Sequence, residues 1–245
     1  MSAQMVTKGI VKRFGGLTAL DEVSFEIVKG ELVGLIGPNG SGKTTFLNVL
    51  SGFYKPEQGH AWFEGRSIVG CEPSDLAGWG IARSFQVTKI FRRISVLDNL
   101  LVPGLTDWST SPRSAAEKGL AILGQLNLDR LAYEPAANLS GGQAKLLEFG
   151  RIMMLDPRLV LLDEPFGGVH PKLKSLMHDT IREWNAEGTS IILISHDMGS
   201  IFDLCGRIVA LENGRIIANG SPEAVRRDPV VLQAYLGAQI SGSQE

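Results

Sequence analysis

Cysteine, long apolar runs and an excess of either charge are all scarce in this 245-residue sequence. The two cysteines, Cys71 and Cys205, show no CxxC spacing and have too little histidine nearby for a zinc site. They read as reduced thiols of a cytosolic protein, and neither a disulfide framework nor a structural metal is needed for stability. The longest aliphatic runs, Leu159–Leu162 and Ile191–Ile194, have four residues, against the roughly 20 that a bilayer-spanning helix needs. Any membrane role would therefore come through a partner. Met1–Gly16 carries Lys8, Lys12 and Arg13 but no apolar run of secretory-signal length. With 24 basic against 26 acidic side chains, the net charge of −2 offers no basic field for nucleic acid.

What is present is a globular balance of 44% hydrophobic and 20% charged residues, which excludes a largely disordered chain. The 29 glycines exceed the roughly 7% that is usual, without a collagen-like period. They suggest loops where backbone approaches a ligand closely. Short apolar strands alternate with helical stretches, the pattern of an α/β fold with a mostly parallel sheet. Glu31–Ile36 reads as a buried strand running through a glycine-rich turn into a helix from about Gly42 to Leu50, stopped by Gly52. Leu159–Leu162 and Ser190–Ile194 read as further buried parallel strands. Arg207–Leu211 and Arg215–Ala218 flank Asn213-Gly214 and predict a hairpin with a primed turn. From about Phe91 to Leu155 the spacing turns helical, notably in Ala115–Leu126 and Gln143–Met154, and predicts an inserted helical lobe. Thr106–Arg113 is expected as an exposed loop within it. Ser221-Pro222-Glu223 predicts a capped helix start, and Asp228-Pro229 a break before a last helix over Val231–Leu236.

Three stretches carry chemistry. Gly37-Pro38-Asn39-Gly40-Ser41-Gly42-Lys43-Thr44 matches GxxxxGK[ST] between a strand and a helix. Its glycines let successive N–H groups converge on phosphate oxygens at a helix N-terminus. Lys43 would reach the β- and γ-phosphates, and the Thr44 hydroxyl would ligate Mg²⁺. Asp163 and Glu164 close a buried strand before Pro165. Asp163 could hold the magnesium hydration shell, and Glu164 could polarise the attacking water. Ser140-Gly141-Gly142-Gln143 opens a helix that could face an anion. Taken alone, it is an ordinary N-cap.

In their order along the chain these motifs resemble the ATP-binding subunit of an ABC transporter, whose signature is the Leu139–Gln143 sequence LSGGQ. The resemblance runs from about Val6 to Gly237. It implies a P-loop NTPase core with an N-terminal antiparallel β subdomain and an inserted helical subdomain. On that pattern 1–245 is a single ABC ATPase domain. Its core is about 6–90 and 156–220, its signature subdomain about 91–155 and its C-terminal helices about 221–237. The resemblance further implies ATP and Mg²⁺ as cofactors, with Thr44, Gln86 and Asp163 on the metal. Residues 37–44 with Thr45 would form the nucleotide loop. Gln86 looks like the glutamine that couples Mg²⁺ to the membrane subunit, and His196 like the switch histidine at the γ-phosphate. Lys43, Glu164 and His196 would be the catalytic residues. Phe14 resembles the aromatic that stacks on adenine, whereas Phe25 alternates inward with Val23 and Ile27 and reads as core.

The family pattern places two cassettes head to tail, so that Ser140–Gln143 of one acts on the ATP of the other. The pair could be a homodimer or a heterodimer with a paralogous ATPase. It would sit peripherally on the cytoplasmic face of the cell membrane, on integral-membrane permease subunits, with a periplasmic or extracellular binding protein as an indirect partner. One departure is His170, where many members have Asp, in a loop that communicates across the dimer. Phe14–Leu20, Leu50–Pro56 and Gln233–Gly237 resemble the ATPases of branched-chain (hydrophobic) amino acid importers. Phe91–Leu100 also resembles the lipopolysaccharide-export ATPase, and a soluble ATPase of iron–sulfur cluster assembly shares the motifs. A degenerate subunit that binds ATP without turnover is disfavoured by intact Glu164, His196 and LSGGQ.

Overall fold

The computed structural model describes residues 3–104 and 111–241. In chain order the first half contains β1 (Ala3–Phe14), β2 (Leu17–Val28), β3 (Leu32–Ile36), α1 (Lys43–Leu50), β4 (Gln58–Phe63), β5 (Arg66–Ser67), α2 (Pro73–Gly78) and β6 (Ile81–Arg83). Next come α3 (Val96–Gly104), α4 (Pro112–Gln125), α5 (Gly141–Met153) and β7 (Leu159–Asp163). The chain continues through α6 (Pro171–Ala186), β8 (Ser190–Ile194), α7 (Met198–Leu204), β9 (Arg207–Glu212), β10 (Arg215–Gly220), α8 (Pro222–Arg227) and α9 (Pro229–Ser241).

Two sheets result. The antiparallel one runs β2-β1-β4-β5, and the mostly parallel one runs β10-β9-β3-β8-β7-β6. The apolar runs of β3, β7, β8 and β9 are explained by cores on both faces. Alternate side chains of a strand point to opposite sides, so Val33, Leu35, Leu159, Leu161, Ile192 and Ile194 meet α1 and the antiparallel sheet. Leu32, Val160, Leu162, Ile191 and Leu193 meet the helical side formed with α4, α5 and α6. Phe25 is buried in the first core, as its alternation predicts. Asn213 (φ 48°) and Gly214 (φ 76°) supply the two left-handed residues of the primed β9–β10 turn.

Two expectations are corrected. The last helix starts at Pro229 rather than Val231, because Asp228 caps it by accepting a hydrogen bond from the Val230 N–H at 2.8 Å. Asp228-Pro229 is thus a cap followed by a first-turn proline, the same device as Ser221-Pro222. Pro112 and Arg113, expected in a loop, form the first turn of α4, with Ser111 accepting from the Ser114 N–H. The rest of that expected loop, 106–110, lies outside the described residues.

Candidate active site

The turn between β3 and α1 can form only with glycine at its tightest points. A Cβ on Gly42 (φ 104°) would lie 2.5 Å from the Ala19 carbonyl oxygen, and one on Gly37 would lie 2.1 Å from that of Leu211. The turn therefore wraps tightly against β2 and β9, and α1 starts with no side-chain cap on its amides. Lys43 folds back into this turn, donating to the carbonyls of Gly37 (2.7 Å) and Pro38 (2.9 Å). Burial pushes its ammonium below the ordinary lysine pKa, while the charges of Glu164 and Asp163 pull it back upward.

The parallel register sets β7 beside β8, so the two strand ends emerge together. Asp163, 1% exposed, accepts a hydrogen bond from the Thr44 hydroxyl at 3.3 Å. Arg83 of β6 pairs with the other carboxylate oxygen at 3.3 Å and donates to Asn48 and Ser51 of the α1 region. The Asp163 N–H donates to the Ser84 hydroxyl at 3.1 Å. Asp163 is thus held from its backbone and from both carboxylate oxygens.

Glu164 takes a left-handed backbone (φ 51°), an uncommon state for a residue with a side chain. Its N–H donates to the Ile194 carbonyl at 3.0 Å, and its Oε2 accepts from the His196 N–H at 3.1 Å. Oε1 is buried with no hydrogen-bond partner in the protein, and the His196 Nε2 stands 3.4 Å from it.

These groups converge. One cleft of about 320 Å³ is lined by residues 39–45, Gln86, Asp163, Glu164, His196 and, at its edge, Phe14. Phe14 is 43% exposed, with the Tyr54 ring edge-on at 5.2 Å. Gly37 and Pro38 lie behind this lining, where their carbonyls hold Lys43. Ser140–Gln143 does not reach the cleft. Ser140 caps α5, accepting from the Gln143 N–H, and the Gln143 side chain accepts from the Ser140 N–H. His170 has a definite place as the cap of α6, its Nδ1 accepting from the Lys172 N–H at 3.3 Å.

A model of the ABC transporter family matches residues 20–167, well over half of the chain. The chain belongs to the ABC transporter family, as one of its ATPases. A second model, of the branched-chain amino acid ATP-binding cassette transporter, matches residues 215–240. A probable branched-chain amino acid transport ATP-binding protein of Archaeoglobus fulgidus is 39% identical, over 96% of this chain and 96% of its own length. A high-affinity branched-chain amino acid transport ATP-binding protein of Escherichia coli is 37% identical over 94% and 96%. Among solved structures, an ABC transporter cassette in its ADP conformation superposes with a TM-score of 0.86. It is 35% identical, and the match covers 97% of this chain and all of that one.

Several side chains that support the candidate site were not singled out from the sequence. Besides Arg83, Lys145 of α5 donates to the carbonyls of Glu164, Pro165 and Gly167 (2.6 Å to the last), tying the signature helix to the loop after Glu164. Glu148 of α5 accepts from the Phe85 N–H at 3.2 Å, next to Gln86. Their partners lie 19 to 80 positions away, beyond the reach of any local pattern.

Proposed function

We propose that this ATPase powers an importer of branched-chain or other hydrophobic amino acids from the cytoplasmic face of the membrane, as one half of a head-to-tail pair. The observation that carries the site reading is the convergence of Lys43, Thr44, Asp163, Glu164 and His196 on one cleft beside the glycine-rich loop. Phosphoryl transfer needs positioning and charge neutralisation rather than covalent chemistry. Lys43 exchanges its carbonyl partners for the β- and γ-phosphates, and the amides of 39–45 hold the remaining oxygens. Glu164 accepts the hydrogen bond of the attacking water, with His196 beside it to hold the γ-phosphate end. Phe14 offers an exposed aromatic face to the adenine.

The donor set at Asp163 fits Mg²⁺, a hard cation that takes oxygen ligands and keeps several waters. Thr44, Asp163 and Gln86 offer side-chain oxygens on one cleft. When bound, Mg²⁺ would be held by Thr44, Asp163 and Gln86 and would neutralise the charge that develops on the phosphates.

Residues 91–155 are read as the helical signature unit, with the permease docking at its junction with the core. A cleft of about 550 Å³ there is lined by Phe85, Lys89, Ile90, Phe91, Glu148 and Arg151 among others. Of these Phe91 is an exposed large apolar side chain, and Val87, two positions on from Phe85, is another. They suit an apolar helix from a membrane subunit.

The test is gentle solubilisation of the tagged chain from its native cell and identification of what co-purifies. Subunits with several apolar stretches of about 20 residues, plus ATPase stimulation by a binding protein loaded with leucine, are the expected result. A soluble scaffold alone overturns the transport reading and leaves the ATPase intact. Phe91→Asp should remove permease binding and coupled turnover while ATP binding persists. Full coupling in that variant would move the docking site elsewhere.

A further inference from the structure

The phosphate loop is gripped by the C-terminal part of the chain at three points. The Gly214 N–H, in the β9–β10 turn, donates to the Ser41 carbonyl at 3.0 Å. The Leu211 carbonyl lies so close to Gly37 that no side chain fits there. The third contact comes from α9, 198 positions away: the Gly37 N–H donates to the Tyr235 hydroxyl at 2.9 Å. We propose that Tyr235 is a positioning residue of the nucleotide site, its hydroxyl setting the phosphate loop through the Gly37 amide.

The argument rests on where Gly37 sits. It follows the end of β3, whose ladder with β9 runs to Ile36 opposite Ala210. A backbone N–H leaving a sheet into a part-buried turn needs a new acceptor, and Tyr235 supplies it. On its other side the Gly37 carbonyl accepts from Lys43 at 2.7 Å. Gly37 is therefore the residue at which the C-terminal helix and the phosphate-binding lysine meet. Without the tyrosine hydroxyl, the Ile36–Gly37 peptide plane would turn toward another acceptor, and the start of the phosphate loop would shift with it about the Gly37 Cα. Burial and the nearby Glu164 charge keep the phenol protonated, so it accepts from Gly37 as a neutral group. α9 packs on α8 and β10, which places this tyrosine on the same unit as the turn that holds Ser41.

The inference rests on reading residues 37–45 as the phosphate cradle, and the experiment separates the two. Equilibrium binding of a fluorescent ATP analogue to the full chain is compared among the parent, Tyr235→Phe and Lys43→Ala. Phe keeps the ring and its packing and removes only the acceptor. Tyr235→Phe should bind about tenfold more weakly, the scale of one buried donor left unpaired. KM for ATP should rise in step, kcat should fall less than about threefold, and the melting temperature should fall by about 3–6 °C, the cost of that one bond in a chain of this length. Amide exchange at Gly37 should be slow in the parent and accelerated in Tyr235→Phe. Two results overturn the tether alone: Tyr235→Phe affinity within about twofold of the parent while Lys43→Ala loses binding, or a parent Gly37 amide exchanging as fast as that of Gly40. Parent-like binding by Lys43→Ala would overturn the phosphate-cradle reading and the tether together.

Discussion

The glycine-rich loops 37–45 and 140–143 each open a helix, and they differ in what satisfies the first amides. At α1 the cap is Gly42 and no side chain takes those donors. The loop is held from outside instead, by Gly214 and Tyr235, and residues 39–45 line the cleft. At α5 the cap is Ser140, and a reciprocal pair of hydrogen bonds with Gln143 satisfies both ends locally. An anion arriving at the signature loop must compete with this capping box, worth about 1 kcal/mol, whereas one arriving at the phosphate loop displaces only lysine–carbonyl contacts. On the proposed reading, the first loop would thus bind nucleotide within one chain. On the proposed head-to-tail pairing, the second would gain an anion only when another chain's ATP is brought to it, which would be a physical reason for ATP-dependent closure.

The largest effect that would sharpen this contrast is at Glu164. Glu164→Gln keeps the side-chain shape and an acceptor for the His196 amide but weakens the group that polarises water. Turnover should fall by about 10²–10³, with ATP still bound and dimer accumulating on a sizing column. Parent-like turnover would remove Glu164 from the mechanism.

Legibility from sequence divides along the same line. The phosphate loop, the Asp163-Glu164 strand end and the Ser140 cap were readable because each is a local device: glycine where no Cβ fits, an apolar run ending in acids, a serine with Gln three residues on. β7 and β8 were readable because burial on both faces makes them continuously apolar. β1 surfaced only through family resemblance, since register shifts on either side of Ile10 break its alternation, whereas β2 showed itself in the inward alternation of Val23, Phe25 and Ile27. Arg83, Lys145, Glu148 and Tyr235 could not be read as supports, because each acts on a residue that only the tertiary fold brings near.

A smaller effect tests the capping argument itself. Ser140→Ala removes the acceptor for the Gln143 amide and should lower stability by about 1 kcal/mol, read from denaturant melts. Binding of ATP to the isolated chain should match the parent, because residues 140–143 are absent from its cleft. ATP-driven dimerisation and turnover should fall about tenfold. If binding by the monomer fell as well, the two loops would not be separable and the contrast would fail.

The smallest effect lies between the two loops, at Glu148, which joins the signature helix to the backbone beside Gln86. Burial raises its carboxyl pKa to about 7, against the downward pull of the Phe85 amide and the Arg151, Lys145 and Lys89 charges. The folded chain therefore binds this proton more tightly than the unfolded chain does. Its stabilising contribution is complete below the ordinary carboxyl value of 4.5 and is lost as pH rises toward about 7. Glu148→Gln cannot titrate yet can still accept from the Phe85 N–H. Across pH 5 to 8 the parent should lose about 2 kcal/mol of stability relative to this variant, with the difference level above that range. Parallel denaturant curves at four pH values would read it. A parent and variant that track each other throughout would mean that the three cations already compensate the buried charge. The bond to Phe85 would then couple the signature helix to the Gln86 loop equally at every pH.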